Sequence, residues 1–245
     1  MPATTAICAA THAPSQSQWR RSKRGSTRQA YPASWRIPPK PDSYFEQSRP
    51  ELVAVLPPRL GRVLDIGCGA GGVGRAIRDR ADRLTGIELD AAAAARAREA
   101  YDEVHTGAAD GVLDALEGPF DTILLYDVLE HLTDPAAVLQ RVRELASGGA
   151  LLHTSVPNAR HWSLVRDLVF RGTFGYTPAG HRDETHLRWF TPRDLRALLE
   201  STGWRVERSG HPPLSPGGRL AERATRGRSA EFLVYQWWAL ARATP

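Results

Sequence analysis

From about residue 44 onward, short apolar blocks alternate with longer amphipathic ones. Arg62-Val63-Leu64-Asp65-Ile66 reads as a buried strand, followed by a glycine turn and a helix through Ile77. Arg83-Leu84-Thr85-Gly86-Ile87 is a second strand, and Asp90 stands as cap to an alanine-rich helix over 91–100. A short strand from Glu103 to Thr106 and a helix of little more than one turn from Gly111 to Leu116 come next. Phe120 to Tyr126 is apolar almost throughout, as a strand covered on both faces should be. Asp134 and Pro135 open a helix over 134–146, and Ala150 to Val156 is a fifth strand. Strands separated by helices of this length predict βαβ units with right-handed crossovers, hence an α/β, doubly wound, parallel sheet.

After Pro157 the alternation lapses until Phe190. A helix over 192–202 then enters at Thr191-Pro192 and stops at Gly203, with a strand from Trp204 to Arg208 behind it. A polar Pro/Gly stretch leads to a final strand over Glu231 to Leu240. The gap at 157–190 is longer than ordinary loops, which marks it as the lid or substrate insertion. Residues 1–42 show neither helical nor strand period and are rich in Ser, Thr, Ala, Pro, Gln and Arg. A disordered basic tail is expected there, and one domain over 43–245.

Composition narrows the setting. The 245 residues are 42% hydrophobic and 24% charged, a globular balance. Two cysteines, Cys8 and Cys68, make no disulfide framework or zinc-type spacing and suit a reducing compartment. No apolar run approaches spanning length, and the start lacks the apolar core of a secretory signal, so a cytoplasmic protein is expected. The net charge of +5 is unevenly placed. Arg20, Arg21, Lys23, Arg24, Arg28, Arg36 and Lys40 face no acid before residue 42, leaving 25 bases against 27 acids in the remainder. The basic character therefore belongs to the tail and describes no binding face of the domain.

Gly67-Cys68-Gly69-Ala70-Gly71-Gly72 holds a G-x-G-x-x-G turn between a strand and a helix. Its glycines let backbone N–H groups approach a ligand at the helix N-terminus. A triphosphate loop is excluded, because no Gly-Lys-Ser/Thr follows. Asp65, at the end of the strand, would repel a pyrophosphate and attract an ammonium. That favours S-adenosylmethionine, which carries an ammonium and a sulfonium and no phosphate. Glu88, nineteen residues past Gly69, ends the second strand, where a carboxylate can accept both ribose hydroxyls. Asp110 follows the third strand, placed to accept an exocyclic amine.

These residues resemble the class I S-adenosylmethionine-dependent methyltransferases. The carriers are Val63 to Gly69, Gly86-Ile87-Glu88-Leu89-Asp90, and Phe120-Asp121 through Leu129-Glu130-His131-Leu132 to Asp134-Pro135. The resemblance spans about residues 44–240. It implies a Rossmann-like sheet of seven strands in the order 3-2-1-4-5-7-6, the last antiparallel. It puts the methionyl end near Asp65, Gly67, Cys68 and Gly69, the ribose on Glu88 beside Leu89, and adenine by Ala109 and Asp110. Tyr126 and Asp127 fall where the loop after strand four lines the methyl-transfer site, and Tyr44 contributes from an N-terminal helix.

The acceptor is less defined. The loop reads Tyr126-Asp127-Val128-Leu129, not the Asn/Asp-Pro-Pro-Tyr/Phe of enzymes that methylate nucleic-acid amines, and neither cysteine is placed for base C5 chemistry. Leu129-Glu130-His131-Leu132 resembles the small-molecule branch, including quinone-biosynthesis O-methyltransferases. Ser155-Val156-Pro157-Asn158 and Thr185 to Pro192 resemble a branch encoded with glycan- and lipid-linked-sugar synthesis. The expectation is therefore O-methylation of a small molecule such as a sugar or lipid-linked intermediate, with no nucleic-acid or integral membrane partner; the oligomeric state is left open. His131, Asp127 and His186 are the catalytic candidates, a neutral imidazole being able to take a hydroxyl proton. Asn158, His161, His181 and Arg188 are the substrate candidates. Arg160 and Arg182 join Arg188 as possible anchors for an anionic acceptor. Trp162, Phe170, Phe174, Tyr176 and Trp189 make the insertion aromatic. His181-x-Asp183-x-x-His186 has metal-ligand residue types, but no metal site is assigned from it. A cofactor-binding partner without turnover, a nicotinamide dehydrogenase and an RNA methyltransferase using the basic tail are the competing readings.

Overall fold

A computed structural model describes residues 40–244. The tail expected over 1–42 lies outside the described residues up to position 39. Lys40 and Asp42, at its end, are engaged: Lys40 pairs with Asp183, and Asp42 opens helix α1 (Asp42–Phe45).

Seven strands form one sheet in the order β3-β2-β1-β4-β5-β7-β6. β1 (Gly61–Ile66), β2 (Ala81–Glu88), β3 (Glu103–Thr106), β4 (Phe120–Tyr126) and β5 (Ala146–Pro157) are mutually parallel. β7 (Gln236–Ala243) runs antiparallel between β5 and β6 (Trp204–Gly210). The expected order and the antiparallel last strand are both present. Two apolar clusters cover the sheet. One joins Leu64, Ile123, Leu125, Leu139 and Trp204; the other joins Leu52, Val63, Ile77, Leu124 and Leu151. Neighbouring β4 residues contribute to opposite clusters, which accounts for its unbroken apolar run.

The helices follow local signals. Asp90 caps α4 (Ala91–Ala97) by accepting from the Ala92 and Ala93 amides. Asp134 caps α6 (Pro135–Glu144), and Thr191 with Asp194 forms a reciprocal capping box on α8 (Pro192–Ser201). α3 (Gly72–Ile77) and the short α5 (Ala109–Val112) contribute wall residues to the crevice above β1 and β2, while α2 (Pro50–Val53) buries Leu52 and Val53 in the second cluster.

Three expectations need correction. α7 (Trp162–Phe170) occupies the stretch read as irregular. Only Leu164 and Asp167 of it are buried while Val165, Leu168, Val169 and Phe170 face solvent, so no polar face gave it a helical period. α9 (Pro216–Ala224) fills the polar Pro/Gly stretch, entered at Ser215-Pro216, a side-chain cap followed by a first-turn proline. The final strand starts at Gln236 rather than Glu231, because α10 (Ala230–Leu233) turns about Asn158 first. Smaller shifts move α4 to an earlier end, α5 upstream of the expected helix, and the start of β5 to Ala146.

Candidate active site

The carboxyl ends of β1, β2 and β4 open into a cavity of about 890 Å³, at the switch point where the strand order reverses. One end is made by the turn after β1. Gly67 and Gly69 both have positive φ. A side chain at Gly69 would also meet the Phe45 carbonyl oxygen at 2.5 Å, so only glycine permits this close approach of backbone to backbone. Glu88 holds the turn: one carboxylate oxygen accepts from the Gly69 amide at 2.9 Å and the other from the Asp90 amide at 2.8 Å. Leu89, Ala109 and Asp110 continue the wall, with Asp110 at the exposed rim. Cys68 lines the turn as a buried thiol, its pKa pushed up by burial and by Asp65 and Glu88.

Asp65 is placed as expected, but its charge is not fixed. It is 2% exposed and takes a hydrogen bond from the Tyr101 hydroxyl. Burial pushes its pKa up to about 7 and the Glu88 charge adds to that, against the Tyr101 bond. It therefore sits near its own midpoint at neutral pH, and a ligand cation would hold it ionised.

The opposite end is built from side chains contributed by four segments. Asp127, in a left-handed conformation at φ +55, follows β4. Its carboxylate pairs with Arg49 and accepts from the Gln236 amide and the Ser155 hydroxyl. This network occupies Asp127, which leaves it poorly placed to take a substrate proton. A single 3₁₀ turn, Leu129–His131, then drives Glu130 inward to 1% exposure, where burial and the Asp127 charge raise its pKa well above the ordinary carboxylate range. The Glu130 carbonyl accepts from the Leu187 and Arg188 amides, which pins the insertion over it. His186 thereby meets His131, ring centroids 4.8 Å apart, with its Nε2 4.0 Å from Glu130 Oε1. Burial lowers the pKa of both imidazoles, that of His186 to about 4, so both are neutral at pH 7. Tyr44 reaches the same space from α1, its pKa raised to about 12 by burial and by Asp183, Asp127 and Glu130.

The substrate candidates lie elsewhere. Asn158 is fully buried: its amide donates to the Glu231 and Val234 carbonyls and its oxygen accepts from the Arg160 amide. His161 and His181 stack at 4.7 Å, and the ring Nε2 of His181 bonds the Tyr235 carbonyl at 2.7 Å. Arg188 donates to the Thr133 carbonyl, Arg160 pairs with Glu231, and Arg182 with Asp167. None of these side chains is on the cavity wall; most are spent on backbone carbonyls or charges, chiefly of the 231–235 segment and Thr133, that tie the insertion to the rest of the domain. His181, Asp183 and His186 likewise form no joint ligand set. Asp183 is taken by Lys40 and Thr185. Glu130, Lys40, Arg49 and Gln236 are wall residues the sequence did not single out. Only Glu130 had a visible signal, as an acid between leucine and histidine in Leu129-Glu130-His131.

The wall fits an S-adenosyl nucleoside. The glycine turn excludes Cβ atoms, the nearby acids suit a cation, and both basic wall residues, Lys40 and Arg49, are already paired with Asp183 and Asp127. Comparison with known proteins agrees. Residues 42–209 match a family described as a methyltransferase domain. The chain is 31% identical over 174 residues to a tRNA 5-carboxymethoxyuridine methyltransferase of Escherichia coli, covering 65% of this chain and 66% of that one. It is 31% identical over 105 residues to a ubiquinone biosynthesis O-methyltransferase of Pseudomonas aeruginosa, covering 40% and 44%. The chain thus spans about two thirds or less of the length of these curated relatives. The fold matches an S-adenosylmethionine-dependent methyltransferase of Mesorhizobium loti with a TM-score of 0.56 at 22% identity, covering 79% and 96%. It also matches the magnesium protoporphyrin IX methyltransferase of Synechocystis bound to S-adenosylhomocysteine, with a TM-score of 0.53 at 19% identity, covering 76% and 75%. The chain belongs to the methyltransferase-domain family, in the class I group that uses S-adenosylmethionine.

Proposed function

We propose that this chain transfers the methyl group of S-adenosylmethionine to an oxygen of a small, uncharged or weakly polar acceptor in the cytoplasm. The carrying observation is the division of one cavity between a glycine turn with acids and the Glu130, His131 and His186 cluster. Gly67, Gly69 and Asp65 take the methionyl end, Glu88 the ribose, and Ala109 with Asp110 the adenine. When bound, the cofactor supplies a methyl on a sulfonium, a good leaving group for in-line displacement. The protein's remaining task is to orient the acceptor and accept its proton as the new C–O bond forms.

His131 is the residue placed for that proton. Its Nδ1 lies 3.2 Å from the Thr185 carbonyl, which can only accept, so the proton sits on Nδ1 and Nε2 keeps its lone pair. The committed arginines argue against a phosphorylated or carboxylated acceptor, since none of them is left to pair with it. His131→Ala tests the assignment. Turnover of a metabolite extract with labelled donor should fall about 100-fold, while affinity for S-adenosylhomocysteine stays unchanged. Retained turnover would remove His131 from the chemistry.

A second reading, an RNA acceptor, is favoured by the likeness to the tRNA enzyme and by the seven bases before residue 42. It requires RNA affinity that falls steeply with salt and is lost on deleting residues 1–39.

A further inference from the structure

Glu130 is the one group on the cavity wall whose environment the scheme above leaves unexplained. It is 1% exposed, and neither of its carboxylate oxygens has a hydrogen-bond partner. Buried carboxylates are ordinarily paired, hydrogen-bonded or bound to metal, because a desolvated, unsatisfied one is costly. Imidazole nitrogens lie close by, His186 Nε2 at 4.0 Å from Oε1. One donor atom each from Glu130, His131 and His186 falls within 4.8 Å of the others.

The surroundings orient these rings in the manner of metal ligands. His131 Nδ1 is spent on the Thr185 carbonyl at 3.2 Å and on Thr185 Oγ1 at 3.1 Å. Thr185 Oγ1 donates in turn to Asp183 Oδ1 at 2.8 Å, so it accepts from the ring. The result is a fixed tautomer with bare Nε2, the second-sphere pattern that orients ligating histidines. His186 turns Nε2 to Glu130. Two elements that are distant in sequence, the turn after β4 and the insertion, thus converge on one buried carboxyl.

We propose that Glu130, His131 and His186 form a three-ligand site for one divalent first-row transition ion, open to the cavity for an acceptor oxygen. Two imidazoles and one carboxylate suit Zn²⁺, Mn²⁺, Fe²⁺ or Co²⁺, and the two nitrogens disfavour Mg²⁺ and Ca²⁺. Metal–ligand distances of about 2.0–2.2 Å require the three side chains to draw together by roughly 1 Å from their present spacing. The inference rests on the reading of this end as the acceptor side. A hydroxyl coordinated there gives up its proton to solvent more readily. The oxygen–methyl bond then forms as the sulfur–methyl bond breaks, leaving S-adenosylhomocysteine as a neutral thioether. With the ion bound, Nε2 of His131 is a ligand rather than the proton acceptor, so the ion takes over the role given to the bare imidazole above and the loss of turnover expected for H131A follows from loss of the ion.

The test uses the full chain, stripped with chelator and dialysed separately against Zn²⁺, Mn²⁺, Co²⁺ and Mg²⁺, with bound metal measured by elemental analysis. The expected result is one equivalent of Zn²⁺ or Co²⁺ per chain, a visible Co²⁺ absorption band of a nitrogen-containing site, and a thermal shift upward. Mg²⁺ should give none of these. E130Q and H186A should each weaken binding at least 10-fold and lose the Co²⁺ band, with S-adenosylhomocysteine affinity reporting that the fold is intact. No stoichiometric ion in the parent, or binding undiminished in whichever of the two variants stays folded, overturns the proposal. None of these readouts needs turnover. An ion that binds as expected in a chain that methylates nothing would refute the proposed function and leave the site standing.

Discussion

The two ends of the cavity are held in different ways. At the glycine turn the shape is made by main chain, with backbone amides fixed by Glu88 and positive-φ glycines allowing Phe45 to approach. At the other end it is made by side chains from residues far apart in sequence: Lys40 to Asp183, Arg49 to Asp127, Gln236 to Asp127. The first end is set by the main chain of the β1 turn, with Glu88 and Phe45 holding it. The second exists only once the insertion is docked on Glu130. A binding turn built on backbone suits a constant ligand, whereas a wall assembled from distant side chains can be exchanged piece by piece, which fits a family with varied acceptors.

This contrast predicts different sensitivities, the largest at Asp65. Its folded pKa of about 7 lies above the unfolded value of 3.8, so the folded chain holds a proton that the unfolded chain releases between those values. Stability contributed by Asp65 is thus complete below about pH 4 and lost as pH rises to about 7. Asp65→Asn should remove that loss. Its advantage over the parent should grow by roughly 4 kcal/mol between pH 4 and pH 8, read from denaturant melts without cofactor. A gap that is constant with pH would mean Asp65 is charged throughout.

Gly69→Val comes next. A side chain there meets both a left-handed backbone and the Phe45 carbonyl, for about 3 kcal/mol of lost cofactor affinity or fold stability. Calorimetric titration with S-adenosylhomocysteine measures the first and thermal denaturation the second. A neutral outcome in both would refute the close-approach account of the turn.

Asn158→Ala probes the side-chain end in the opposite sense. Removing the amide leaves two carbonyls of the α10 turn without their donors, for about 2 kcal/mol of stability. Cofactor affinity should not change. An Asn158→Ala protein of parental stability but altered acceptor KM would restore Asn158 to the acceptor site.

The same contrast explains what was legible beforehand. Asp90, Asp134 and Thr191-Pro192 announced their helices because capping is local chemistry, and the β4 run announced a central strand. The acids at Asp65, Glu88 and Asp110 could be assigned a place in the fold because each lies at or shortly beyond the carboxyl end of its strand. The insertion could not be read in this way. Asn158, His161, His181 and Arg188 have the residue types of a binding site, yet their partners are backbone carbonyls and ring faces set by tertiary packing. Helix α7 was hidden for a related reason, since its exposed Phe170 and Val169 erase the polar face that periodicity depends on.

The central claim is that one end of the cavity holds the cofactor and the other handles the acceptor. It is tested most directly by the affinity of S-adenosylhomocysteine for the parent, E88A and E130Q. E88A should bind about 10- to 100-fold more weakly, from loss of charge-assisted hydrogen bonds worth roughly 1–3 kcal/mol, while E130Q should bind within twofold of the parent. Parental affinity in E88A, or its loss in E130Q, would contradict the division.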